Sequence, residues 1–323
     1  MYNDIRLEKS LYSVSGKTFT QALAELDPDE NYSSTELSGL DAFERQLKRF
    51  DIKVSGENCD MVEKFFMNTQ SAVLFPEFVR RTIKQGMDEV SILPDITAAR
   101  SCTDGIDFRG MSISSSGEDT AEQGAAISST TVQLASKATA VKKFARKLSV
   151  TYEAIRKQRI EALAVVLRGL GAAVSRAINL EAVKTLAADA SSSAMSGATV
   201  TYADLASFWA KLPKNDMNVI VTTPAIMADI LALDEMKYCV SDFMATGKVK
   251  TPYGVTLIKC SGLDTEEMVG IDSKTALEAV FATDVVVDSD KLLSTQCEEI
   301  SCSIMVGFSK IDADAAAVMT AAN

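Results

Sequence analysis

The chain has 323 residues, enough for one large domain or two medium ones, and its 47% hydrophobic share is ordinary for a globular protein. A formal net charge of -11 and a pI near 4.7 exclude binding to nucleic acid or anionic membrane by bulk charge. Histidine is absent, which removes the commonest general base and the commonest metal ligand together, and the six cysteines form no CxxC pair of the kind that holds zinc.

The opening MYNDIRLEKS has no apolar stretch of a secretory signal, and no apolar run approaches the length of a membrane span. All six thiols read as reduced, cytoplasmic and mostly buried. Residues 1–70 are polar and interrupted. Short helices are expected over Phe19–Leu26 and over Leu40–Phe50, the second with Asp41 near its start, and Asp27-Pro28-Asp29 marks a turn between them. This stretch lacks the apolar density for a core of its own and reads as an arm that packs on something else. Ala72–Phe75 reads as a short strand, Pro76 then suits the first turn of a helix over Glu77–Lys84, and Val90–Leu93 reads as another strand.

Residues 100–131 are rich in Ser, Thr, Gly and acid. Alternation at Ile106, Phe108, Met111 and Ile113 predicts a strand entering a long hairpin that returns at Thr131–Leu134. A hairpin so long and polar cannot bury itself, so it is disordered, a lid, or a lobe lying on a neighbour. Residues 137–159 are the one basic island, eight Lys or Arg against the single acid Glu153. Val141, Phe144, Leu148 and Val150 give that island a strand. Ile155–Ala188 is the longest helical signal, with Ile160, Leu163, Leu167, Leu170, Val174 and Ile178 recurring at steps of three and four. Such a helix would run roughly 50 Å, far beyond the usual length. Gly169 and Gly171 weaken it by about 0.5–1 kcal/mol each.

Beyond it, 190–199 reads as a linker. Thr201-Tyr-Ala-Asp204 is a capping-box-like start for a helix through Trp209 and Leu212, stopped by Pro213. Met217–Thr222 is a buried strand, and Thr223-Pro224 opens a helix to Leu233. Thr251-Pro-Tyr-Gly254 is a turn before a strand over Val255–Cys260. The alternation across 200–265 implies a compact α/β lobe. Residues 266–323 are strongly acidic. Ile300, Cys302, Ile304, Val306 and Phe308 alternate as a long strand, and Ala313–Ala322 continues, small and apolar, into the core.

Motifs of catalysis fail on inspection. Gly16-Lys17-Thr18 imitates the end of a phosphate loop, but the glycine required five residues earlier is Leu11. Gly169-Leu-Gly171 lies inside a helix, and the third glycine of a dinucleotide fingerprint would be Val174. Small residues at a packing contact explain it better. The sequon Asn31-Tyr32-Ser33 carries no meaning without a signal peptide. The Glu pairs at 266/267 and 298/299 read as a solvated acidic face rather than a metal site. The basic island has three readings: contact with nucleic acid, complementarity with the acidic region 264–314 within or between subunits, or ordinary surface.

The order of features, together with Ser71-Ala-Val-Leu-Phe-Pro-Glu-Phe-Val-Arg80, LSVTYEAIRKQ (148–158) and NVIVTTPAIMADILAL (218–233), resembles the major capsid proteins of tailed bacteriophages, of the HK97 type. The resemblance covers about residues 70–323. It implies an α+β chain with an N-terminal arm at 1–70, the start of a peripheral domain at 71–97 and an extended β-hairpin loop at 98–136 lying across the adjacent subunit. The peripheral domain would resume at 137–194 around a spine helix at 155–188. An axial α/β domain would occupy 195–295, and 296–323 would return as a strand to the core sheets. It also implies self-assembly through capsomers, enclosure of DNA without sequence-specific binding, and companion portal, scaffold or decoration proteins, with no membrane, no cofactor and no catalytic residue. Candidate contacts between subunits are Lys142, Lys143, Arg146 and Lys147 on the basic strand, Glu118, Asp119 and Glu122 on the hairpin, and Phe75 and Phe78. A cellular nanocompartment shell of the same fold is the alternative. A soluble α/β enzyme with a lid is a third reading.

Overall fold

The computed structural model describes residues 5–33, 35–116, 123–124, 127–212, 214–239, 243–244, 246–263 and 267–321. The chain mixes helices and sheets throughout. It begins with α1 (Phe19–Leu26) and α2 (Ala42–Arg49). Each starts on a capping box, Thr18 with Gln21 and Asp41 with Glu44, so that side chain and backbone satisfy each other's free N–H groups. A single turn, α3 (Thr69–Ala72), leads to α4 (Leu74–Val90) and then to α5 (Leu93–Ile96). Helix therefore replaces the strand expected over Ala72–Phe75, and none forms over Val90–Leu93. The buried residues explain why: they recur as 74/75, 78/79, 82/83 and 86/87, a helical period that a four-residue apolar run conceals.

Strands follow as β1 (Ala99–Cys102), β2 (Asp107–Phe108), β3 (Met111–Ser116), β4 (Ser129–Leu134), β5 (Thr139–Ala140) and β6 (Lys142–Thr151). Next come α6 (Tyr152–Lys157) and α7 (Ile160–Ala187). The helix expected without interruption from Ile155 is thus broken at Gln158, which is extended at φ -80°, ψ 149°. By length and composition α7 could cross a membrane, but half of its most apolar window is buried inside the chain, as in a core helix. The Ser-rich stretch expected as linker contains β7 (Ser191–Ala194), drawn into a sheet by backbone pairing. The remaining elements are α8 (Tyr202–Trp209), β8 (Val219–Thr222), α9 (Pro224–Ala232), β9 (Val249–Lys250), β10 (Thr256–Lys259), β11 (Glu267–Ile271), β12 (Leu277–Leu292), β13 (Cys297–Lys310) and β14 (Ala316–Thr320). One sheet has the order β1-β12-β13-β6, with β1 parallel to β12.

The chain forms two compact units, and α7, β6, β12 and β13 each run through both. The first comprises residues 1–89, 145–174 and 285–303. Its N-terminal part was expected to lack a core, yet Leu7, Phe19, Leu23, Tyr32, Phe43, Leu47, Val62 and Phe65 are all buried. Charge is buried with them. The Arg45 side chain, 1% exposed, donates to Asp27 at 3.0 Å and Asp29 at 2.8 Å, and Tyr32 Oη donates to Asp27 at 2.7 Å. Glu77, fully buried, accepts from Thr20 at 2.6 Å and from Arg80 and Arg81 at 2.9 Å. Burial pushes the Glu77 carboxyl up, but the bonds from Arg80 and Thr20 outweigh it and hold it below the usual range. Here α4 meets α7 at two glycines: a Cβ on Gly86 would collide with the Arg168 backbone, and one on Gly171 with the Ile83 carbonyl.

The second unit comprises 90–144, 175–284 and 304–323. Its six-stranded sheet has the order β7-β14-β11-β8-β10-β9. β8, with all four residues buried, pairs parallel with β10 and antiparallel with β11. Leu205 and Phe208 of α8 and Ile226 and Ile230 of α9 join Ile220, Leu257 and Met268 in one apolar core. The α8 start is a capping box as expected: Thr201 caps the Asp204 N–H, and Asp204 accepts from the Thr201 N–H and hydroxyl at 3.0 and 2.7 Å.

Candidate assembly surface

β3 and β4 form a two-stranded antiparallel ribbon. Its register sets Met111 opposite Leu134 and Ile113 opposite Val132. Side chains alternate across a strand, so these four share one face, while Ser112, Gln133, Ser114 and Thr131 take the other. The apolar face is open to solvent, with Val132 59% and Leu134 64% exposed. The ribbon is anchored at its root, where Ile113 N–H donates to Ile311 at 2.8 Å and Ala135 N–H to Gly110 at 2.9 Å. Gly307 lies there against the Phe108 ring with no room for a Cβ. An isolated two-stranded ribbon is marginal in water, and a contiguous exposed apolar patch marks an interaction site.

The basic strand β6 is partly used inside the chain. Lys147 pairs with Glu299 at 2.7 Å, within the acidic region expected to receive it. Lys142 pairs instead with Glu181 of α7 at 2.5 Å. Lys143 and Arg146 are exposed and form no ion pair among the described residues. Two other candidates fall away: Phe75 and Phe78 are buried, each with its ring centroid 5.5 Å from that of Phe65, so they belong to this chain's own core. Their helical spacing within α4 turns them inward. Glu118, Asp119 and Glu122 lie outside the described residues.

Two apolar surfaces escaped the sequence reading. Val165 and Val166 are exposed on α7, and the signal was there as a second stripe, Ala162, Val165, Val166 and Gly169, beside the buried one. Tyr238 and Met244 stand exposed in the second unit after α9, where no periodicity announced them. At the ribbon root a groove of about 740 Å³ is lined by Gly110, Ser112, Lys142, Lys184, Ser309 and Lys310. Burial pushes the Lys310 ammonium down.

Burial pushes the Cys302 thiol up to about 11 and raises that of Cys260, the reverse of what activates a nucleophile. Among the described residues no cluster of three or more acids or thiols could hold a metal.

The phage capsid protein family matches residues 134–293, from the end of β4 to the end of β12. Among solved structures, a virus-like particle from Pyrococcus furiosus shares the fold at a TM-score of 0.55 and 12% identity, over 75% of this chain and 98% of that one. A Gordonia phage Cozz structure follows at 0.53 and 14%, over 72% and 87%. The capsid of an empty GTA particle gives 0.52 and 13%, over 72% and 90%. At these identities the likeness is one of fold. No curated protein matches the chain.

Proposed function

The chain is a phage capsid protein with the HK97-type fold, and from that premise we propose that its copies assemble, through pentamers and hexamers, into the icosahedral or prolate head shell of a tailed phage around double-stranded DNA. Its role is structural, carried by self-association. The observation that supports this most is the open apolar face of the β3–β4 ribbon, which the single chain leaves exposed to solvent. In this reading 98–136 is the extended loop that crosses the adjacent copy, and α7 is the spine of a peripheral domain spanning 137–194. Residues 195–295 form the axial domain at the capsomer centre, and 296–323 return to the core sheets. Residues 1–70 stay with their own subunit as an N-terminal segment. Lys143 and Arg146, which form no ion pair among the described residues, face an acidic stretch of a neighbouring copy. Assembly takes place in the host cytoplasm, with portal, scaffold or decoration proteins as further partners, and the finished shell is the virion capsid.

A nanocompartment shell of the same fold is the second reading, and the particle from Pyrococcus furiosus keeps the same fold in view. The phage capsid family match over 134–293 favours the head shell.

Purified protein is expected to form pentamers, hexamers or closed particles. Sedimentation velocity across a concentration series, with negative-stain imaging of the fast fractions, checks this. A monomer at high concentration and near-physiological salt would sink the proposal.

A further inference from the structure

The break between α6 and α7 has no cause in its own sequence. Tyr152–Ala162 reads YEAIRKQRIEA, free of glycine and proline and rich in good helix formers. What meets the break is the loop Lys53–Val62 of the first unit. Met61 forms an antiparallel bridge with Arg159. Val62 N–H donates to the Gln158 carbonyl at 3.0 Å, and the Asp60 carbonyl accepts from Ile160 N–H at 2.9 Å. Arg159 Nη1 donates to the Glu57 carbonyl at 2.9 Å. Two helix ends normally leave backbone groups unsatisfied, and this loop supplies a partner to each side of the break.

The loop is itself held closed at Asp60. The Asp60 carboxylate accepts from Lys53 N–H at 2.7 Å and from the Lys64 ammonium at 2.9 Å, and Asp60 N–H donates to the Lys53 carbonyl at 2.9 Å. Val62 and Phe65, in the turn that follows, are fully buried, as are Ile155 and Ile160 on either side of the break.

We infer that the loop Lys53–Val62 is a splint on a two-state junction: docked, it keeps α6 and α7 apart; displaced, it lets residues 152–187 run as one helix. Gln158 and Arg159 would then exchange their bonds to the loop for bonds within the helix, so neither state leaves the junction's backbone unpaired. The N-terminal segment is accordingly a working part of the subunit. Its use in a shell, where one chain must fit unlike positions, rests on the shell reading; the switch itself does not.

The test uses the full-length, unassembled chain and amide hydrogen exchange. Asp60→Ala and, separately, Lys64→Ala loosen the splint. Protection of the amides of residues 159–162 is expected to rise about tenfold in either variant, as the helix closes across the junction. Adding Arg159→Pro should abolish that rise. At the backbone proline suits the broken state, because Gln158 already has the extended conformation that precedes proline, although the Arg159 bond to Glu57 is lost with the side chain; proline is excluded from the interior of a joined helix. Protection that falls or stays level in both single variants would overturn the inference, since a helix end that merely frays behaves so. Because no shell is needed for the measurement, its failure is distinguishable from failure of the shell reading.

Discussion

Gly169 and Gly171 stand two residues apart on α7 and do opposite things. Around Gly169 there is open space, while Gly171 lies against the Ile83 carbonyl of α4. Gly169→Ala should therefore raise stability by about 0.5–1 kcal/mol through helix propensity alone. Gly171→Ala should lower it by roughly 1–3 kcal/mol, because α4 must move away. Urea unfolding of the unassembled chain, comparing midpoints at constant slope, checks both signs. The sequence suggests close packing or a bend at this pair without saying which glycine is involved. Helix phase decides it: Leu170 and Gly171 fall on the buried side and Gly169 on the open one. Buried charge is the opposite case. Nothing in a hydropathy pattern distinguishes Arg45 and Asp27, sealed against each other, from ordinary surface residues, and so the N-terminal part looked too polar for a core. Breaking such a pair from one side leaves an uncompensated charge, which is why these residues organise their surroundings.

Elements with strong local signatures were legible in place and type: α1 has the expected bounds, while the ends of α8, β8, α9 and β13 differ from expectation by up to three residues. The α1 and α8 starts carry capping boxes, and β8, α9 and β13 follow from a buried run, a Thr-Pro start and an alternation. Those that failed did so because the deciding contact is distant in sequence. β7 is paired through β14, and α6 and α7 part where Asp60 and Val62 bond to either side of the break. The ribbon shows what each kind of evidence contributes. Alternation predicted β3, but only the register shows that Val132 and Leu134 complete its apolar face. Deleting 112–124 should leave the rest of the fold intact and stop assembly. Circular dichroism and thermal unfolding would read the first part and particle imaging the second. Normal shells from the deletion variant would contradict a role for the ribbon between copies.

For the whole molecule, the sequence conveyed the order of parts and the acidic balance, but not which cations are already engaged. Lys142 and Lys147 are paired within the chain, so the test of charge between copies belongs to Lys143 and Arg146. Reversing both to Glu should weaken assembly most at low salt, and the gap from the native chain should narrow as salt rises and screens the contact. Light scattering across a salt series measures it; identical assembly at every salt concentration would refute the pairing. The position of β14 has a further consequence, one of timing. β14 lies between β7 and β11, yet it leaves the ribosome after every other strand of its sheet. Until then β7 has no partner and β11 has one bare edge. Domains generally fold from the N-terminus during synthesis, but this sheet must wait for β14. A subunit in which β14 has not yet docked is therefore unfinished in this sheet, and in the shell reading its association with sister copies is expected to follow the arrival of that strand.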